Sequence, residues 1–249
     1  MNRNALGVIA IALLILVAGV LIINYDDDKP SSSVTLTEGM VDRTYTWSYN
    51  GQTYSLELSM PLSDYYAARA VDRGTTTLDR YAQYVQSDAD VVKVLSGALK
   101  TAAGSRDVPS FVLSFVQSIP YQTDKEFIGL EEYPKFPIET LVDYSGDCED
   151  VAGLYVSLMR SLGYNSVMIF IPTGGNTGHM SAGIAGNYPG ESITDVDGIA
   201  YYYAECTARG WMIGQVPDTI PFGNSGTMIL GGAEATVKFE TPQQEAVAS

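Results

Sequence analysis

One cysteine, one histidine and one glutamate are placed where acyl-transfer chemistry could arise. Cys148 stands in SGDCEDVAGLYVSLMRSLG, where Val151, Leu154, Tyr155, Leu158, Met159 and Leu162 recur at helical spacing. Ser145, Gly146 and Asp147 are turn and cap formers, so Cys148 is expected in the first turn of a buried helix. The positive end of a helix dipole favours a thiolate, the form of cysteine that attacks a carbonyl carbon. His179, the single histidine, follows the loop TGGNTG at the edge of the strand-like stretch HMSAGIAG. Glu205 lies in YYYAECTARGW, where strand alternation puts Tyr203, Glu205 and Thr207 on one face and Cys206 on the other. A carboxylate in an aromatic, half-buried strand needs a partner, and an imidazole N–H is a natural one.

Blander readings stand beside each of these. Cys148 could be a small packed thiol, and His179 a packed or solvated side chain. Asp147, Glu149 and Asp150 could be helix-start charges that complement the dipole; beside a nucleophile, the same acids would favour substrates with basic groups. A Cys148–Cys206 disulfide is available because two cysteines make one pair, although the alternation turns Cys206 away from Glu205. Metal binding by Asp143, Asp147, Glu149 and Asp150 has a spacing that fits no calcium loop. No metal ligand and no cofactor is assigned.

The elements that must position these residues are legible in outline. Thr44–Met60 alternates Tyr45, Trp47 and Tyr49 before Asn50-Gly51 and Tyr54, Leu56, Leu58 and Met60 after it, the pattern of a hairpin. Helical periodicity follows over Asp88–Ala103 and Val108–Ile119, closed by Gly104 and Pro120. Asn165–Pro172 reads as a buried strand, and the Gly-rich loop after it joins two strands without the Lys and helix of a phosphate loop. Helices followed by strands, rather than strict alternation, predict an α+β fold.

Composition narrows the rest. The 249 residues hold 29 acidic against 14 basic side chains, a net charge of −15 that argues against nucleic-acid binding. Two cysteines and one histidine exclude a disulfide-rich scaffold, a four-cysteine zinc site and the helical zinc-protease motif. Ala5–Ile23 is an unbroken apolar run of 19 residues, long enough for a membrane-spanning helix. No A-x-A-like cleavage site follows it, so a retained anchor is expected. Arg3 before the run, and Asp26, Asp27 and Asp28 with Lys29 after it, favour a cell-membrane, single-pass protein whose C-terminal domain is extracytoplasmic. The expected division is a cytoplasmic tip (1–4), an anchor (5–23), a polar linker (24–40), a hairpin and helical region (41–110), a catalytic core (111–240) and a tail (241–249).

From Phe111 to Pro217 the chain resembles the transglutaminase-like superfamily, and in particular its bacterial and archaeal cysteine peptidases. The segments that carry the resemblance are FVQSIPYQTD, YPKFPIETLVDYSGDCEDVAGL, LGYNSVMIFIP, GHMSAGIAG and YAECTARGW. Gly146-Asp147-Cys148 matches the G-x-C motif that opens a helix, and His179 after Gly178 matches the histidine that starts a strand. Glu205 two before Thr207 matches the acid, with Glu in place of the usual Asp, and Ser181 stands where many members have Trp. The resemblance implies a transglutaminase or papain-like core in which a nucleophile-bearing helix packs on an antiparallel sheet. It implies a Cys148, His179, Glu205 triad acting on peptide or protein amide bonds through a thioester. The Trp departure favours hydrolysis over transfer to amines. The alternative is a catalytically silent member serving as an extracytoplasmic binding or envelope-scaffold module.

Overall fold

A computed structural model describes residues 17–23, 30–74, 77–175 and 177–231. The expected tip, the first part of the anchor and the C-terminal tail lie outside these residues.

An aromatic hairpin opens the described core. Strand β3 (Met40–Tyr49) turns at Asn50 and Gly51, both at positive φ, into β4 (Gln52–Pro61). That turn matches the right-handed twist of paired strands, as Asn-Gly predicts. The register sets Trp47 opposite Tyr54, and their stacked rings lie 5.4 Å apart. Helix α3 (Val108–Val116) lays Phe111 and Phe115 edge-on against them, at 4.9 Å from Tyr54 and 5.3 Å from Trp47. These rings supply much of one hydrophobic cluster that runs from Val41 to Leu230. The expected boundary between 110 and 111 therefore falls inside α3 and inside a shared core.

At two places in the N-terminal part the structure differs from the expected elements. Val17–Ile23, the end of the expected anchor helix, is strand β1, antiparallel to β4. Val17, Val20, Ile22 and Ile23 are β-branched, and an apolar run can be satisfied by strand pairing as well as by lipid. Among the described residues no helix is long and apolar enough to cross a membrane. Ser31–Thr37, within the expected linker, is strand β2 on the outer edge of β3, giving the order β1-β4-β3-β2.

Helices then lead into a second sheet, so the fold is α+β with sheets on both sides of the helical region. Helices α1 (Leu62–Arg69) and α2 (Asp90–Ala103) precede α3; α4 (Asp124–Phe127), α5 (Pro137–Asp143) and α6 (Cys148–Ser161) follow it. The second sheet has the order β7-β8-β6-β5-β9, all antiparallel. Its members are β5 (Ser166–Gly174), β6 (Thr177–Ala185), β7 (Ser192–Thr194), β8 (Ala200–Ala204) and β9 (Met228–Leu230). Helix α6, buried over most of its length, packs on β5 and β6. A helix held against the centre of a sheet on one side and α2, α3 and α5 on the other has little freedom to shift its first turn.

Candidate active site

Cys148 is the first residue of α6, where the backbone N–H groups have no intrahelical acceptor. The approach to it is fixed by a short parallel bridge. Gln122 N donates to Gly146 O at 3.0 Å, and Gly146 N donates to Pro120 O at 3.3 Å. Gly146 has a steric reason to be glycine: a Cβ there would lie 2.7 Å from the Asp150 Cβ. Asp150 cannot move away, because its carboxylate accepts from Lys135 N at 2.7 Å and from Asp147 N at 3.3 Å. The Gly146-Asp147-Cys148 sequence is thus a tight corner clamped from inside the helix.

His179 sits on β6 opposite Ile171 of β5. Gly178 before it lies against the Phe170 ring, and a Cβ there would come within 2.1 Å of the ring. Glu205 follows the last residue of β8 and is 1 % exposed. Its Oε2 accepts from His179 Nε2 at 3.1 Å and Tyr203 Oη at 2.5 Å; its Oε1 accepts from Thr207 N at 2.9 Å and Thr207 Oγ1 at 2.6 Å. Cys206 is fully buried on the other side, and both cysteines are free thiols, which removes the disulfide alternative.

The structure brings Cys148, His179 and Glu205 together. With Nε2 turned to Glu205, Nδ1 is the ring nitrogen left to face Cys148, which lies near enough to help raise the imidazole's pKa. Burial works hardest on His179 and disfavours its charge, but Cys148 and Glu205 together outweigh it and raise its pKa to about 9. Burial likewise pushes Glu205 up, and His179, Thr207 and Tyr203 overcome it to hold the carboxyl near 2. Burial, followed by the Glu205 charge, keeps the Tyr203 phenol protonated and therefore a donor. The unit is an imidazolium–carboxylate pair at neutral pH.

The other flank of Cys148 is acidic. Its thiol also contacts Glu149 Oε2 at 3.3 Å. Burial raises the Glu149 and Asp150 carboxyls well above the ordinary range, joined by the charges of Cys148 and Asp147 at Glu149 and of Asp147 at Asp150, and Asp124 is raised to about 7 chiefly by burial. Asp124, Glu132 and Glu149, and again Asp147, Glu149 and Asp150, bring oxygens within 4.8 Å of one another. Asp124, Asp147 and Glu149 each keep one buried oxygen without a hydrogen-bond donor, so these are the described side chains that could hold a cation. Asp143, grouped with them by sequence, instead pairs with the buried ammonium of Lys135 at 3.7 Å.

Four contributors have no role assigned from the sequence. Lys135 is enclosed between Asp143 and Asp150 (3.9 Å) and donates to Ser145 O at 3.1 Å, just before the nucleophile corner. Gln117 donates to the carbonyls of Glu205 at 2.8 Å and Trp211 at 3.0 Å, tying α3 to the segment behind the acid. Tyr121 and Trp211 help wall a cavity of about 360 Å³ beside His179 and Glu205. All lie in segments that carry the resemblance, FVQSIPYQTD, YPKFPIETLVDYSGDCEDVAGL and YAECTARGW, but no periodicity or spacing gives them a role.

No family model and no curated protein matches the chain. Among solved structures it is similar to calcium-bound LapG of Legionella pneumophila, at 21% identity over 66% of this chain and 90% of that one, with a TM-score of 0.38. It is similar to a TGase, at 14% identity over 70% and 46% of the two chains, with a TM-score of 0.35. A putative cysteine protease from Cytophaga hutchinsonii matches at 16% identity over 74% and 70%, with a TM-score of 0.31.

Proposed function

We propose that the protein is a transglutaminase-like thiol hydrolase or acyltransferase acting on peptide amide bonds. The observation that carries this reading is the placement of His179 between the Cys148 thiol and the four-fold hydrogen-bonded Glu205. Cys148 Sγ attacks the carbonyl carbon as the thiolate, its proton already held on His179 Nδ1 as the imidazolium. The tetrahedral oxyanion is met by backbone N–H groups at the start of α6. As the C–N bond breaks, His179 returns the proton to the leaving nitrogen and a thioester remains. Water, deprotonated by His179, then adds to the thioester, and the carboxylic acid leaves as the Cys148 thiol re-forms. Glu205 holds the ring and balances the imidazolium throughout.

Rapid alkylation of Cys148 by iodoacetamide, lost in His179→Ala, together with hydrolysis of a casein or mixed-peptide substrate that is absent in Cys148→Ala, is the expected result. Alkylation no faster than that of a free small thiol, with no hydrolysis, would reject the activity. The Cys148–Glu149 contact favours one second reading, a catalytically silent extracytoplasmic binding or scaffold module, because it holds the thiol against an acid.

For location we propose a membrane-anchored protein with the domain outside, supported by the apolar run over residues 5–23. This requires Val17–Ile23 to leave β4. Recovery of the full chain in the soluble fraction, with no need for detergent, would refute it.

A further inference from the structure

The two flanks of Cys148 differ in chemistry, and the difference specifies the substrate. The cavity of about 360 Å³ lies on the His179 side, walled by His179, Trp211, Pro217 and Ile220, with Ala208 and Thr219 at its exposed rim. Of its three ionisable members, His179 and Glu205 are already paired with each other, with both oxygens of Glu205 engaged, and Tyr121 is a phenol kept protonated by burial. Among the described residues, no buried side-chain polar atom left without a partner belongs to this wall, whereas Asp147 and Glu149 on the Cys148 flank each carry one. A charged side chain entering the cavity would lose water and find no opposite charge free to pair with it, while an aliphatic one would lose nothing against Trp211, Pro217 and Ile220.

The direction of the substrate follows from the proton. Acylation forms the Sγ–C bond and breaks the C–N bond, and the proton His179 took from Cys148 goes to the departing nitrogen. That nitrogen must lie within hydrogen-bonding reach of His179, so the residue it begins starts at the mouth of this cavity. We propose that the cavity receives the side chain of the residue immediately C-terminal to the scissile bond, and that it selects an uncharged aliphatic one. This rests on the thiol acyl-transfer reading.

Amino-acid amides mimic the departing amine, with the α-amine at His179 and the side chain in the cavity. With the full chain, iodoacetamide labelling of Cys148 is followed while leucinamide, glycinamide or lysinamide is added; buried Cys206 does not compete. Leucinamide is expected to protect at concentrations about tenfold below those that glycinamide or lysinamide needs, the value of one buried aliphatic side chain. Ala208→Leu, at the exposed rim, should bring leucinamide down to the level of glycinamide. Thr219→Asp, also exposed, should turn the preference toward lysinamide. Calorimetric titration of Cys148→Ser with the same amides reads the cavity without the thiol. Equal protection by all three amides, protection by none, or a preference for lysinamide in the unaltered protein overturns the proposal. Leucinamide binding without any peptide hydrolysis would keep the cavity assignment and reject the acyl-transfer reading instead.

Discussion

Nε2 of His179 lies 3.1 Å from Oε2 of Glu205, and Tyr203 and Thr207 fill the remaining acceptor sites of that carboxylate. The acid is therefore more than a counter-ion. It joins the end of β8, the segment after it and β6, and it fixes which ring nitrogen faces Cys148. A buried carboxylate with four donors is held in one position, and so is the imidazole that leans on it.

Replacing Glu205 separates these roles. Glu205→Ala leaves the Tyr203 and Thr207 donors without their acceptor in a buried site and should lower stability by about 3 kcal/mol. Glu205→Gln keeps a carbonyl acceptor but no charge. Its amide NH2 faces two of the four donors, so it should still cost stability, though less than Glu205→Ala, while lowering hydrolysis by about 10²-fold, within the range of general acid–base effects. Denaturant unfolding beside initial rates checks both.

The pH dependence of stability has a worked sign. His179 is raised in the folded state to about 9, so its pairing stabilises fully below its unfolded value near 6.5 and is lost as pH rises through 9. Glu205 is lowered to about 2, so its contribution is present above the unfolded value near 4.5 and is lost as pH falls through 2. The stability gap between the unaltered protein and Glu205→Gln should be widest between about pH 4.5 and 6.5 and shrink toward pH 10. Thermal unfolding across that range measures it.

Asp124 has the opposite sign. Burial raises its carboxyl to about 7, so above that pH the folded state must carry a charge it resists. Asp124→Asn, which keeps an oxygen for Tyr133 N, should raise the melting temperature at pH 8 by a few degrees and do nothing at pH 4. A loss at pH 8 alone would mean that the charge is needed.

Gly178 and Phe170 should behave as a coupled pair. A Cβ at 178 meets the Phe170 ring at 2.1 Å, so Gly178→Ala should cost about 1–3 kcal/mol and slow Cys148 alkylation by shifting His179. Phe170→Leu in the same chain should restore much of both. Additive losses in the double-mutant cycle would show that the two sites do not communicate.

The parts read well from sequence are those set by local pattern. The Asn50-Gly51 hairpin, the periodic helices α2 and α6, and the placement of Cys148 in a first helical turn depend on residues close together in the chain. The shared face of Tyr203, Glu205 and Thr207 was legible for the same reason, although β8 ends at Ala204. Val17–Ile23 pairs with β4 where the sequence reads as a span, because an apolar run carries no period and nothing local tells lipid from the edge of β4.

What the sequence alone determined is the inventory: one imidazole, one thiol at a helix start, one acid in an aromatic strand, and an excess of carboxylates around the thiol. What only the tertiary structure decided is which groups face each other. Lys135 becomes a clamp because chain folding encloses it between Asp143 and Asp150, and Gln117 reaches Glu205 across 88 residues of sequence. The apolar cavity beside His179 draws its walls from residues 121 to 220. Such contacts join positions with no shared periodicity, so they arise from packing and leave no mark in the order of residues.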